Sequence, residues 1–96
     1  MPPVTRISDS CTGHDDCPGV PLASGSHNVY ANGIPVGRVG DSYSTHACEQ
    51  HTPHTPVLAG GSGTVYVNGI PVSRIGDGVS CGGSVAAGSP NVIIGG

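Results

Sequence analysis

The chain has 96 residues, no Trp, no Phe and only three Tyr, so little large apolar area is available to build a core. Seventeen Gly and nine Pro favour turns and short strands, and no stretch repeats apolar residues with helical spacing. With no Lys, three Arg and a net charge of -3, it lacks the clustered cations that nucleic acid or an anionic membrane surface demands.

The N-terminal segment, Met1-Pro2-Pro3-Val4-Thr5-Arg6, has no apolar run and does not read as a secretory signal. No segment is apolar enough to span a bilayer. The expectation is a protein made and folded in a reducing cytoplasm, where four Cys among five His suggest a metal more than a disulfide framework.

Residues 10–21 form a first irregular loop with Cys11, His14 and Cys17. A hairpin signal follows, Val29-Tyr30-Ala31-Asn32-Gly33-Ile34-Pro35-Val36-Gly37-Arg38-Val39-Gly40-Asp41. Asn-Gly between short apolar runs predicts a two-residue turn with positive φ at both central positions. Alternation then puts Val29, Ala31, Ile34 and Val36 on one buried face and Tyr30 and Pro35 on the other. Proline cannot donate to a ladder, so the second strand is placed at an edge. A second loop, residues 42–56, carries His46, Cys48, His51 and His54. The hairpin signal then returns as Val65-Tyr66-Val67-Asn68-Gly69-Ile70-Pro71-Val72-Ser73-Arg74-Ile75-Gly76-Asp77. A third loop, residues 78–84, carries Cys81.

The C-terminus begins a third copy and stops where its turn would be: Asn91-Val92-Ile93-Ile94-Gly95-Gly96 matches Asn28 to Gly33. The missing half lies at the other end, where Pro3-Val4-Thr5-Arg6-Ile7-Ser8-Asp9 matches Pro35 to Asp41 and Pro71 to Asp77. Self-similarity at a fixed period is an architectural signal. The reading is an all-β single domain of three hairpin repeats, at about residues 3–36, 37–72 and 73–96. The third hairpin is formed by the paired termini, with adjacent chain ends and a pseudo-threefold axis. Closing the ring removes edges that would invite aggregation. The repeats consume the chain, which leaves no effector extension. Each Arg precedes an Asp by three residues, Arg6 and Asp9, Arg38 and Asp41, Arg74 and Asp77, and these are read as structural ion pairs tying neighbouring repeats together.

The repeats also select metal ligands. His14 and His46 each stand five residues after a repeat Asp, and His54 and Cys81 each stand four before the aliphatic residue that opens the next strand. Three imidazoles and one thiolate make a closed tetrahedral site for one structural Zn²⁺, with iron second. His51, Cys17 and Cys48 stand as alternates, a Cys17–Cys48 disulfide stays open, and His27 is read as surface. A closed site has no position for water, so its binding energy appears as folding energy. Catalysis is not expected: Cys48 between His46 and His51 could suggest a nucleophile, but so small a glycine-rich ring offers little pocket. A monomer with three equivalent edges matches a threefold partner, one chain per trimer, to whose strands it could add its own.

The Pro-Val-Gly-Arg at 35–38 and Pro-Val-Ser-Arg at 71–74 resemble the Pro-Ala-Ala-Arg signature of PAAR-repeat proteins. Both stand in that family's wider frame, Gly25-Ser26 through Asp41 and Gly61-Ser62 through Asp77, and Cys81-Gly82-Gly83 and Gly88-Ser89-Pro90-Asn91-Val92 also look like the family. The signature alanines are Val36, Gly37, Val72 and Ser73 here, and Ser8 replaces a Gly. The resemblance implies a small cone of β-hairpins with Zn²⁺ held by three His and one Cys near the point. It implies a structural tip that binds and sharpens the blunt end of a trimeric β-helical spike, either the VgrG protein of type VI secretion or the central spike of a phage tail baseplate. Such a tip is made in the cytoplasm, assembled at the tip of the phage tail or type VI spike and driven through the target envelope on sheath contraction, without stable membrane insertion. The alternative is a zinc-binding adaptor that docks toxin cargo onto the spike.

Overall fold

The computed structural model describes residues 1–13, 18–45 and 55–96. Two antiparallel hairpins form, β1 (Tyr30–Ala31) with β2 (Ile34–Pro35), and β3 (Tyr66–Val67) with β4 (Ile70–Pro71). Their registers are identical, with Tyr30 opposite Pro35 and Tyr66 opposite Pro71. The turns take positive φ at Asn32 and Gly33, and at Asn68 and Gly69, as a type I′ turn requires. No helix occurs among the described residues.

The termini meet. Pro3 and Ile93, the counterparts of Pro35 and Tyr30, form an antiparallel bridge. Val4 N–H donates to Val92 O at 3.0 Å and Ile94 N–H to Pro2 O at 2.9 Å. The expected third hairpin is here a bridge and not a strand pair. No turn connects its two halves, so their register is held by contacts such as these and by Ser89 N–H donating to Val4 O at 2.8 Å.

The strands are two residues long, so alternation governs little of the chain. Ala31 and Val36 are buried as expected, but Val29 is exposed and Ile34 only half-buried. Most of the fold is carried by backbone bonds that recur three times in cyclic order. Val4 bridges Arg74, Val36 bridges Arg6, and Val72 bridges Arg38. Thr5 N–H donates to Ser73 O, Ser73 N–H to Gly37 O, and Gly37 N–H to Thr5 O, at 3.1, 3.0 and 2.9 Å, closing a triangle of main chains. Ser44 N–H donates to Pro21 O, Ser80 N–H to Val57 O, and Thr12 N–H to Ser84 O, a second triangle at the roots of the three loops. Extents of 37 × 23 × 23 Å fit such an arrangement, with two equal short axes.

The core divides in two. Val4, Val36 and Val72, with Ala31 and Val67, fill the hairpin end. Cys11, Tyr43 and Val79, with Leu22, Leu58 and Val85, fill the loop end. Each triplet is one repeat position. Val4, Val36 and Val72 are identical, whereas Cys11, Tyr43 and Val79 share nothing but burial.

Candidate functional site

Polar side chains tie the hairpin end. In each repeat the Arg Nε lies against the Asp Oδ2: 2.8 Å for Arg6–Asp9, 2.9 Å for Arg38–Asp41 and 3.0 Å for Arg74–Asp77. A second bond from Nη2 to Oδ1, at 3.2, 3.1 and 3.1 Å, makes each contact bidentate. The Arg N–H of the main chain donates to the same carboxylate. These hydrogen bonds push each guanidinium pKa above its ordinary value, against the lowering effect of burial.

The ion pairs therefore close within a repeat and not between repeats, because a three-residue turn brings Asp back under its own Arg. The remaining guanidinium N–H groups do reach the next turn: Arg6 donates to Asn32 Oδ1 at 3.1 Å, Arg38 to Asn68 Oδ1 at 3.1 Å, and Arg74 to Gly95 O at 3.2 Å. Three buried serines complete the lattice. Ser26 Oγ donates to Asn68 Oδ1, Ser89 Oγ to Asn32 Oδ1, and Ser62 Oγ to Gly95 O. Each serine also accepts N–H bonds from residues two and three positions on. Sequence reasoning missed Ser26, Ser62 and Ser89 in this role, although their recurrence in the Gly-Ser frame was the available signal.

On the outside of this lattice stands a ring of apolar side chains. Tyr30 and Tyr66 are each 56% exposed and Ile93 is 54% exposed. They occupy one repeat position, so the exposure recurs with the backbone. Outside their own hairpins, the main-chain N–H groups of Tyr30 and Tyr66 donate no hydrogen bond among the described residues.

The loop end carries the candidate ligands. His14, Cys17, His46, Cys48, His51 and His54 lie outside the described residues. Cys81 lies within them, as a half-buried free thiol packed against the loop-end core. Among the described residues, no three His, Cys, Asp or Glu side chains come together as a metal-binding group. The roots of the three loops do converge. Beyond the main-chain triangle, Ser84 N–H donates to Thr12 Oγ1 and Val57 N–H to Ser80 Oγ, at 2.8 and 2.9 Å. Thr45 and Thr55, which bracket the second loop, join through their hydroxyls at 2.6 Å.

Two groups here were not singled out in the sequence. Cys11 is a buried free thiol in the core, at the position of Tyr43 and Val79. Tyr43 is 1% exposed, and its hydroxyl has no hydrogen-bond partner among the described residues. Burial pushes the pKa of that hydroxyl well above its ordinary value. The reading of Tyr43 as a loop residue hid it, since nothing but the repeat register marks it as core.

No helix among the described residues is long and apolar enough to cross a membrane. The chain is similar to one protein family: the family model of the PAAR motif matches residues 12–87. A search of curated proteins found no match.

Proposed function

Because the chain belongs to the PAAR-motif family, we propose that it is the pointed cap of a trimeric β-helical spike in a contractile injection apparatus, bound as one chain per trimer. The observation that carries this reading is the recurrence of one exposed apolar residue, Tyr30, Tyr66 and Ile93, on a backbone bonded in threefold cyclic order. A single chain with three equivalent edges can meet three identical strands at once. Strand addition supplies main-chain hydrogen bonds, and the apolar ring supplies contact area. The lattice of Arg, Asp, Ser and Asn behind that ring keeps it rigid, so little ordering entropy is lost on docking. The cap serves to extend and sharpen the spike as it is driven through a cell envelope.

The loop end is the point in this reading, and it holds one structural Zn²⁺ through His14, His46, His54 and Cys81. The converging loop roots support the assignment, as does the half-buried free thiol of Cys81, packed against a core that holds a buried hydroxyl with no partner. When bound, the ion supplies folding energy that so small a core lacks.

Two measurements test the proposal. Co-purification with a trimeric spike protein should give one chain per trimer, and three chains per trimer would overturn the threefold argument. Metal analysis should find about one zinc per chain, lost in Cys81→Ser together with thermal stability. Unchanged metal in that variant would reject the ligand set.

A further inference from the structure

Tyr43 poses a chemical question that packing does not answer. Its ring fills the loop-end core beside Leu22, Leu58 and Val85, where the equivalent positions hold Cys11 and Val79. Neither counterpart needs a phenol, and Phe would fill the same space. Leaving a buried hydroxyl unpaired costs about 1–3 kcal/mol. Cys11 belongs to the same core and Cys81 packs against it, yet as free thiols neither accepts a hydrogen bond from this hydroxyl. A thiol is a weak acceptor, whereas a thiolate is a strong one. Of the two sulfurs, Cys11 is sealed in the core at a symmetric position, while Cys81 is half-buried on the third loop and is the one that the zinc reading makes a ligand.

We propose that Tyr43 is a positioning residue for the metal site, donating its hydroxyl hydrogen bond to the Cys81 sulfur when that sulfur is a metal-bound thiolate. The inference rests on the zinc reading given above. It accounts for an unpartnered hydroxyl in the very core against which a loop cysteine packs. A hydrogen bond to a ligating thiolate draws electron density from the sulfur, fixes its orientation and lowers its nucleophilicity. Such outer partners are typically worth 10- to 100-fold in metal affinity.

The experiment loads wild type, Tyr43→Phe and Cys11→Ala with Co²⁺ and with Zn²⁺. In Tyr43→Phe the thiolate-to-cobalt absorption band should move to lower energy, Zn²⁺ affinity should fall about tenfold, and Cys81 should alkylate faster. Cys11→Ala should leave the band in place. A second observation uses wild-type protein alone: with ¹¹³Cd in the site, the Tyr43 hydroxyl proton should exchange slowly and couple to cadmium through the Cys81 sulfur. Absence of that coupling, or a band unmoved in a Tyr43→Phe protein that binds metal, overturns the assignment and leaves the zinc reading intact. If the Tyr43→Phe band shift vanishes once Cys11 is also replaced, the partner is Cys11 and the assignment is wrong. A wild-type protein that takes up none of these metals overturns both readings.

Discussion

At the hairpin end the polar side chains repeat as faithfully as the backbone, and at the loop end they do not. Around Val4, Val36 and Val72, each Arg meets its Asp at 2.8–3.0 Å and each buried Ser spans to the next turn. Around Cys11, Tyr43 and Val79, the backbone triangle persists while the side chains diverge into a thiol, a phenol and an isopropyl group. On the proposed reading, the difference separates the end that would meet a symmetric partner from the end that would hold an asymmetric ligand. A threefold surface needs three equal edges, whereas a four-ligand ion on a threefold axis cannot draw equally on three repeats. Divergence at one level of an otherwise cyclic fold marks where a ligand site would sit.

Among the equivalent glycines Gly25, Gly61 and Gly88, the contrast breaks most severely at Gly88. A Cβ there would stand 2.6 Å from Val4 O, the carbonyl that accepts Ser89 N–H at 2.8 Å. The carbonyl cannot retreat without losing that bond and loosening the join between the termini. Gly88→Ala should cost about 3 kcal/mol, read as the shift in a denaturant midpoint. Gly25→Ala and Gly61→Ala meet Val36 O at 2.7 Å and Val72 O at 2.9 Å, so their costs should fall in that order. Equal costs at all three would mean that clash distance does not set the penalty.

Next comes the charge lattice. Arg38→Met keeps much of the side chain's bulk but strips Asp41, which is buried, of its bidentate partner. Loss of charge-assisted bonds of this kind costs about 2 kcal/mol. Adding Asp41→Asn should recover part of it, because the uncompensated carboxylate is then gone. The thermal midpoint of the two variants tests this, and no recovery would show that the N–H bond from the Arg38 main chain to Asp41 matters more than the charge.

The legibility of the chain follows the same divide. The Asn-Gly turns, the meeting of Pro3 with Ile93 and the all-β architecture could be seen in the sequence because repetition exposes them, even where a strand shrinks to a single bridge. The buried face of the hairpins was read too generously. Val29 and Ile34 obey alternation only if the strand continues, and two-residue strands end before it can act. The ion-pair partners were legible, Arg6 with Asp9, Arg38 with Asp41 and Arg74 with Asp77. The link onward to the next turn comes from the other guanidinium N–H groups, which a repeat spacing does not show. At the loop end Tyr43 was invisible as a core residue. Its burial depends on the cyclic bridge from Leu22, which no local pattern encodes.

That hydroxyl gives a prediction whose sign depends on condition. In protein stripped with a chelator, Tyr43→Phe removes a buried group without a partner and should be neutral or stabilising by about 1 kcal/mol. In zinc-loaded protein the same change should destabilise. Thermal melts of both variants with and without zinc should therefore cross, and parallel shifts would tie Tyr43 to packing alone.

The smallest effect lies where the cyclic pattern departs from itself at the hairpin end. Gly40 and Gly76 take φ of 94° and 92°, and Ser8 occupies the same place with φ of 79°. The N–H groups of Ser8, Gly40 and Gly76 donate to Leu22, Leu58 and Val85 carbonyls at 2.8–2.9 Å, so the backbone holds the left-handed turn whatever the residue. A Cβ in that region costs about 1 kcal/mol. Glycine removes the cost but gains entropy in the unfolded chain, which offsets some of the benefit. Ser8→Gly should thus stabilise by a few tenths of a kcal/mol up to about 1 kcal/mol, visible as a rise of a few degrees in Tm. A fall in Tm would mean that the Ser8 side chain supplies an interaction its two counterparts lack.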